Sequence, residues 1–386
     1  MITSSKQINI LSKILFTITV FIILLRKYMI SILREDLGID KITSLLFFTS
    51  IGLLFLQFLI KKKYNFRELA ILLTSCLLYL FTKEGSILVI ILLSISISDI
   101  EDKYVVKVYM LLTTIFVIGC VLIGNLRPDI SQVPEIHYRF INGQYIARET
   151  FGFANPNSVF LFSLPIFAGY IFLRFDKYNI WDRLIIVGTT IYIYKNTMSR
   201  TGFFTMILAL IIVEILKFID LNKYPISKKI IRLIPIIFLV LSIIVGTLFK
   251  NNTFLNKALA SRPSHWNSYL FGEGSLLTLF GNKFSPDMKI LHPLDSSYIY
   301  IISILGITSL VFFMYLLYKG LDIFIKNNKK IYIAIVTIFL VYSFAENILL
   351  EAGYNFTIVL LIKHIIIDDK NNFTINDILK AITSKR

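Results

Sequence analysis

Apolar runs of about 20 residues recur along the whole of this 386-residue chain. An α-helix needs a run of about that length to cross the hydrocarbon core of a bilayer, because each residue advances the helix by about 1.5 Å. Hydrophobic residues make up 56% of the sequence and charged residues only 17%, which is far from the composition of a soluble globular domain. The sequence therefore predicts an all-α polytopic membrane protein.

Hydropathy predicts about twelve spanning helices, and residues 1–386 are expected to form a single integral membrane domain. The predicted spans are 8–25, 42–60, 69–82, 86–98, 104–124, 157–173, 184–195, 201–219, 230–249, 296–318, 331–349 and 353–367. The third, fourth, seventh and last of these are shorter than about 17 residues. We expect those four to tilt, to be shielded by neighbouring helices or to re-enter the membrane.

Basic residues are concentrated in short loops beside the predicted spans. Four such loops, 61–67, 174–183, 217–232 and 319–330, fall on one side of the membrane under this count of spans. The positive-inside rule assigns that side to the cytoplasm, together with both termini and a tail at 368–386. The net charge of +16 then reflects the membrane topology, and it favours binding to anionic membrane lipids rather than to nucleic acid. We expect the protein in the cytoplasmic membrane.

Two long polar stretches, 125–155 and 251–295, interrupt the apolar sequence, and the same topology places both outside the cytoplasm. The second is the longest run that cannot lie in lipid. It contains Arg262, His265, Trp266, Glu273, His292 and Asp295. We interpret the membrane helices as a scaffold that presents this loop.

The positive-inside rule disfavours arginines on the outer side of a membrane, so an arginine that is kept there is expected to have a specific role. Arg200 lies in NTMSRTGFF at the start of a predicted span, Arg262 in SRPSHW, and Arg139 and Arg148 in the first polar stretch. A guanidinium group donates two parallel hydrogen bonds and stays charged in a partly dry site, which suits a diphosphate. The alternative is that these side chains snorkel toward lipid headgroups.

His292 and Asp295 lie in HPLDSSYIYIISILG, where the second loop runs directly into a predicted span. Asp295 or Ser296 is a natural cap for that helix. The functional alternative is that His292 or Asp295 accepts a proton or a hydrogen bond from a substrate hydroxyl.

Three further residues have both a structural and a functional interpretation. Asn157 belongs to an Asn-Pro-Asn junction at 155–157 that favours a helix start, and its amide is expected to point into an external cavity. Trp266 suits either loop packing or sugar stacking. Glu346 is a rare carboxylate near the external end of a predicted span, where it is expected to pair with an external arginine.

Several motifs are absent from the sequence. It contains no P-loop, no Rossmann glycine fingerprint, no HExxH and no GxSxG. Its two cysteines, Cys76 and Cys120, lie inside predicted helices without zinc-site spacing. We expect neither a cofactor nor a metal, so that any chemistry must use an already activated substrate, such as a lipid-linked diphosphate sugar.

The Asn-Pro-Asn junction, SRTG at 199–202, the R-x-x-x-W at 262–266 and the H-x-x-D-S-x-Y-x7-G at 292–306 together resemble the O-antigen ligase/polymerase superfamily. The closer likeness is to Wzy-type polymerases of capsule and O-antigen synthesis, and it extends over the span layout of nearly the whole chain. The resemblance implies a GT-C-like membrane fold and metal-independent glycosyl transfer at the outer face of the cytoplasmic membrane. We expect the transfer to invert the anomeric centre, since the acceptor would attack opposite the leaving diphosphate.

The donor implied by this resemblance is a growing glycan on undecaprenyl diphosphate, and the acceptor is the next lipid-linked repeat unit. A flippase and a chain-length regulator of the same pathway are implied as partners. Arg200 and Arg262 match the family's external arginines, and His292 falls near the loop histidine of the ligase branch. Asp295-Ser296 replaces the His-Asn common in ligases, which favours a polymerase over a ligase.

The predicted catalytic residues are thus Arg200, Arg262, His292 and Asp295, and the predicted substrate-binding residues are Arg139, Asn157, Trp266 and Glu346. Besides an O-antigen ligase, two alternatives remain open. One is a metal-dependent GT-C transferase whose acidic motif would be Glu35, Asp36 or Asp40. The other is a lipid-linked oligosaccharide flippase, which would need charged residues along a central cavity rather than one large loop.

Overall fold

The computed structural model describes residues 5–61, 63–130, 137–141, 143–221, 223–272, 277–369 and 372–373. Helices dominate this part of the chain, and the strands within it are two short antiparallel pairs, β1 with β4 and β2 with β3. The expectation of an all-α membrane protein is therefore confirmed.

In chain order the α-helices are α1 (Ser5–Ile32), α2 (Ile39–Ile60), α3 (Phe66–Thr82), α4 (Gly85–Ser96), α5 (Asp102–Leu126), α6 (Ser158–Arg174), α7 (Ile180–Thr197), α8 (Arg200–Phe218), α9 (Pro225–Leu248), α10 (Thr253–Ala258), α11 (Arg262–Phe271), α12 (Pro286–Leu291), α13 (Ser297–Tyr300), α14 (Gly306–Lys326), α15 (Lys330–Ala345) and α16 (Phe356–Ile367). The strands are β1 (Tyr64–Asn65), β2 (His137–Ile141), β3 (Gln144–Arg148) and β4 (Asn372–Phe373). Short 3-10 turns occupy Glu35–Leu37 and Phe175–Lys177, and a π-helical segment occupies Ile301–Leu305.

Every predicted span overlaps one of these helices. Within the described ranges, seven helical stretches are long and apolar enough to cross a membrane: α1, α2, α5, α6, α8, α9 and the run Ser297–Lys326 through α13 and α14. Helices α4, α15 and α16 are apolar but shorter. The protein is thus a multi-pass membrane protein, and the count of twelve spans and the GT-C likeness remain predictions.

The chain forms two compact units, each assembled from two separate stretches. Unit 1 comprises Met1–Gln57 and Asp99–Ile212. Its core includes the rings of Tyr28, Phe153 and Phe162, with centroids 4.5 Å apart for Tyr28 and Phe162 and 4.8 Å apart for Phe153 and Phe162. This aromatic packing, together with the contact of α5 with α6, fixes the two ends of the first polar loop.

Unit 2 comprises Phe58–Ser98 and Val213–Arg386. Helix α9 packs against α11, α14 and α15, while α16 packs against α4 and α14. A Cβ on Gly320 of α14 would lie 2.2 Å from the side chain of Leu361 in α16, so the close approach of these two helices requires glycine. These contacts fix α9 and α14, the helices that lie before and after the second polar loop in the chain.

The apolar run from Ser297 to Lys326 is a broken helix. A π-helical segment separates α13 from α14, and Gly306 at the junction has φ +85°. Part of the second loop inserts at this break: Ile307 N donates to Thr278 O at 3.0 Å, and Asn282 N donates to Ser303 O at 3.0 Å. These bonds satisfy the backbone groups that the break releases, as irregular backbone in a membrane protein requires.

Candidate functional site

An arginine-bearing hairpin forms part of the first polar loop in unit 1. Strands β2 and β3 are antiparallel, with His137 opposite Arg148 and Arg139 opposite Ile146. Because side chains alternate along a strand and directly paired residues share a face, Arg139 and Arg148 lie on the same face of the hairpin. The opposite face carries three exposed aromatic residues, Tyr138, Phe140 and Tyr145.

The two hairpin arginines bind the end of α7. Arg139 Nη1 donates to Met198 O, and Arg148 Nε donates to Thr197 O at 2.7 Å. Arg148 Nη2 also donates to Asn157 Oδ1, at 2.9 Å. The last carbonyls of a helix lack partners within the helix and carry partial negative charge, so guanidinium groups are well placed there.

Arg200, the first residue of α8, completes a cluster of three arginines with Arg139 and Arg148. Burial lowers the pKa of Arg139, and the positive charge of Arg200 lowers it further. The pKa of Arg148 is lowered by burial and then by the charges of Arg139 and Arg200. In the described part of the chain no carboxylate pairs with any of the three, and the buried Nε of Arg200 has no hydrogen-bond partner. We call Arg139, Arg148 and Arg200 the arginine cluster; its excess positive charge suits an anion.

A second group of charged residues lies in unit 2 around Arg262, the first residue of α11. The side chain of Arg262 is only 4% exposed, and its Nη2 lies 2.9 Å from Asp295 and 3.1 Å from Glu346. Asp295 precedes α13, and Glu346 follows the last residue of α15. The sequence predicts that Glu346 pairs with an external arginine, and Arg262 is its partner.

One guanidinium group therefore faces two carboxylates. Burial raises the pKa of Asp295, although the charges of Arg262 and His265 oppose this. Burial also raises the pKa of Glu346, the charge of Asp295 raises it further, and Arg262 opposes both. Because a single cation faces two partly buried carboxylates, this group favours keeping one proton.

Two histidines adjoin this group. His265 Nδ1 in α11 lies 3.1 Å from Nδ1 of His292, the residue after α12. The pKa of His265 is lowered by burial first, then by His292, whereas Asp295 raises it and Arg262 lowers it. Tyr269 donates a hydrogen bond of 2.8 Å to the carbonyl of His292 and so fixes its backbone. We call Arg262, His265, His292, Asp295 and Glu346 the Arg262 cluster.

Trp266 lies inside unit 2 rather than at its surface. It is fully buried, and its ring meets that of Phe344 edge-on at 5.2 Å. A Cβ on Gly246 of α9 would lie 3.0 Å from its side chain. Trp266 is therefore packed as the first of its two interpretations describes, and its substrate-binding role remains a prediction.

The predicted residues thus fall into two sets. Arg139, Asn157 and Arg200 lie together in unit 1, and Arg262, His292, Asp295 and Glu346 lie together in unit 2. Arg148 and His265 are not among the predicted catalytic or substrate-binding residues, although Arg148 is one of the outer arginines considered for a diphosphate and His265 belongs to the second polar loop. The Asn-Gly dipeptide at 142–143 is a hairpin signal that could have paired Arg148 with the strand of Arg139. No comparable local signal joins His265 to His292.

Some predicted features lie outside the described residues. These are Glu273 and residues 274–276 of the second loop, residues 131–136 and 142 of the first loop, and residues 370–371 and 374–386 of the tail. Asp36, a residue of the alternative acidic motif, pairs with Arg34 at 2.6 Å. No three His, Cys, Asp or Glu side chains in the described ranges are grouped so as to hold a metal ion.

No protein-family model matches the chain, and no curated protein or solved structure matches it either.

Proposed function

We propose that this protein is a polysaccharide repeat-unit polymerase with twelve spans and a GT-C-like fold. It transfers a growing glycan from undecaprenyl diphosphate to a lipid-linked repeat unit at the outer face of the cytoplasmic membrane. The observation that carries this proposal is the arginine cluster, with three guanidinium groups and no carboxylate paired to them within the described ranges. Arg200 also begins α8, so the positive end of a helix adds to the field.

The donor diphosphate binds to Arg139, Arg148 and Arg200 in this proposal. As the bond between the anomeric carbon and the diphosphate oxygen breaks, negative charge grows on the leaving group. Guanidinium groups fixed by Thr197, Met198 and Asn157 stabilise that charge without having to reorganise.

In this proposal the Arg262 cluster binds a hydroxyl of a lipid-linked repeat unit, and His292 or Asp295 accepts the proton of that hydroxyl. The glycosyl transfer inverts the anomeric centre. The family resemblance suggests that Arg262 also grips phosphate. Since Arg262 is already bonded to Asp295 and Glu346, we instead assign it to holding Asp295 in place.

The experiment uses purified protein in lipid nanodiscs. Its substrate is the lipid-linked repeat unit extracted from a strain that lacks the gene, and the readout is polymer length and rate. Lysine lacks the planar fork of arginine, so Arg200→Lys and Arg148→Lys should each lower the rate by about 30- to 1,000-fold. Arg127→Lys is the matched control, because Arg127 forms an exposed ion pair with Asp129 in the same loop.

Near-normal polymerisation by both lysine variants would contradict the diphosphate assignment. Transfer of unpolymerised glycan to a final acceptor would favour the ligase. Loss of all activity in EDTA would favour the metal-dependent transferase. Movement of the lipid across the membrane without new glycosidic bonds would favour the flippase.

A further inference from the structure

His265 and His292 face each other through the same ring nitrogen. Their Nδ1 atoms lie 3.1 Å apart, which is a hydrogen-bond distance. A neutral imidazole has one N–H and one bare nitrogen, so such a contact forces one ring to donate and the other to accept. The donor then carries its hydrogen on Nδ1 and has a bare Nε2. The acceptor carries its hydrogen on Nε2.

The contact by itself allows either ring to donate. If His265 accepts at Nδ1 and His292 donates, Nε2 of His292 is left bare, whereas the opposite arrangement leaves Nε2 of His265 bare. Only the first arrangement frees a nitrogen of His292, the predicted proton acceptor, for a hydroxyl.

The charges around His265 keep its lone pair available. Burial, the neighbouring His292 and the guanidinium of Arg262 lower the pKa of His265, and Asp295 acts in the opposite direction. A neutral His265 can accept a hydrogen bond at Nδ1, whereas a charged one cannot. Tyr269 meanwhile holds the backbone carbonyl of His292, so the ring of His292 is constrained from both sides.

We propose that His265 is a positioning residue that fixes the tautomer of His292, leaving Nε2 of His292 bare to accept the proton of the acceptor hydroxyl. This inference rests on the proposed function for the identity of that hydroxyl. His265 thus takes the part toward His292 that a carboxylate takes toward the histidine of a hydrolytic triad.

The step moves one glycosyl group and one proton. The hydroxyl oxygen forms a bond to the anomeric carbon while the bond from that carbon to the diphosphate breaks, and the electron pair of the broken bond leaves with the diphosphate. The O–H proton moves to Nε2 of His292, which becomes an imidazolium ion. His292 Nδ1–H continues to donate to His265 throughout, and Nε2 later releases its proton to water.

The first measurement needs no substrate. Nitrogen-15 NMR of histidine-labelled protein distinguishes the two tautomers, and the chain contains only four histidines to assign. In the wild type at a pH where the pair is neutral, His292 should carry its hydrogen on Nδ1. His265→Asn should preserve this form, because an amide oxygen can accept near the Nδ1 position. His265→Leu should lose it. Finding the hydrogen of wild-type His292 on Nε2 would overturn the proposal.

The second measurement is the polymerisation rate and its pH profile. His265→Asn should stay within about fivefold of wild type, while His265→Leu should fall by about 100-fold or more, toward the level of His292→Gln. His364→Gln is the control, since His364 lies in α16 and contacts Lys329 rather than either cluster. If His292 has the expected tautomer but His265→Leu polymerises normally, the positioning role is wrong. An inactive wild type would contradict the proposed function, and the spectra would still decide the tautomer.

Discussion

The Nη2 atom of Arg262 lies 2.9 Å from a carboxylate oxygen of Asp295, and this bond joins the start of α11 to the residues that lead into α13. The same nitrogen lies 3.1 Å from Glu346, which follows α15. One nearly buried side chain thus ties three separate segments of unit 2 together. Its removal would leave two partly buried carboxylates facing each other.

We therefore expect Arg262→Ala to destabilise the protein by about 3–5 kcal/mol, as is typical when one partner of a buried ion pair is removed. Arg262→Lys should destabilise the protein less than Arg262→Ala, since lysine keeps the positive charge. Thermal unfolding in detergent measures both. The control is Arg127→Ala, whose ion pair with Asp129 is exposed and should change stability by less than about 1 kcal/mol. Equal unfolding temperatures for the two alanine variants would show that the Arg262 bonds do not stabilise the fold.

The raised pKa of Glu346 leads to a prediction about pH. Burial and the charge of Asp295 raise the pKa of Glu346, and the charge of Arg262 lowers it by less. The folded protein therefore holds a proton that the unfolded chain releases. A raised folded pKa contributes stability below the unfolded pKa, and this contribution is lost as pH rises through the folded value. Glu346→Gln has no such proton, so its unfolding temperature should fall less than that of wild type between about pH 5 and pH 9.

Asp287→Asn is the control for this series, because Asp287 is an exposed carboxylate of α12. Its curve should follow that of wild type. The interpretation of Glu346 would be wrong if the Gln variant and the wild type lost the same stability over this range.

The arginine cluster should bind anions even without the glycan. Inorganic diphosphate should raise the unfolding temperature of the protein, by the equivalent of about 2.7 kcal/mol when its concentration is about 100 times the dissociation constant. Arg148→Gln and Arg200→Gln should each reduce this stabilisation, whereas Arg34→Gln should not, because Arg34 already pairs with Asp36. The same stabilisation by chloride at equal ionic strength would indicate general screening rather than a diphosphate site.

Two glycines meet where the second loop enters the helix break. A Cβ on Gly306 would lie 2.3 Å from Gly281 N, and a Cβ on Gly281 would lie 1.8 Å from Ile304 O. Both glycines have φ +85°. Gly306→Ala and Gly281→Ala should each cost more than about 3 kcal/mol, because overpacking adds to the backbone strain.

Gly38→Ala separates these two causes. Gly38 has φ +66°, but a Cβ added to it would meet no atom within 4 Å, so only the strain of about 1–2 kcal/mol applies there. Unfolding temperature and the yield of folded protein measure the three variants. Equal effects at all three positions would mean that the contact between the glycines contributes nothing.

The loop charges also predict topology. Lys257 lies in α10 of the second loop, and Ser227 lies in α9 within the basic stretch 217–232. With Cys76 and Cys120 replaced, Lys257→Cys should react with an impermeant thiol reagent in intact cells, and Ser227→Cys should react only after lysis. The reverse pattern would invert the assignment of sides.

The helices were predictable because a membrane span needs only a sufficiently long apolar run, which is a local property of the sequence. The contacts between the loops were not. The sequence predicts that Glu346 pairs with an external arginine but does not select Arg262, because the two residues are far apart in sequence. Likewise, the two compact units interleave along the chain, so no composition shift separates them. Gly306 ends the motif that begins at His292, but its partner Gly281 is visible only once the loop and the helix are seen together.

The break at Gly306 also divides one apolar run into two segments with different roles. Helix α14 has 21 residues, so it is about 31 Å long, which by itself matches the hydrocarbon thickness of a bilayer. The nine residues of α13 and the π segment are therefore not needed to cross the bilayer. Because the helix is interrupted at Gly306, these nine residues need not follow the axis of α14. The bilayer then sets the length of α14, while the loop segment that bonds to the break sets the position of the residues that lead from Asp295 into it.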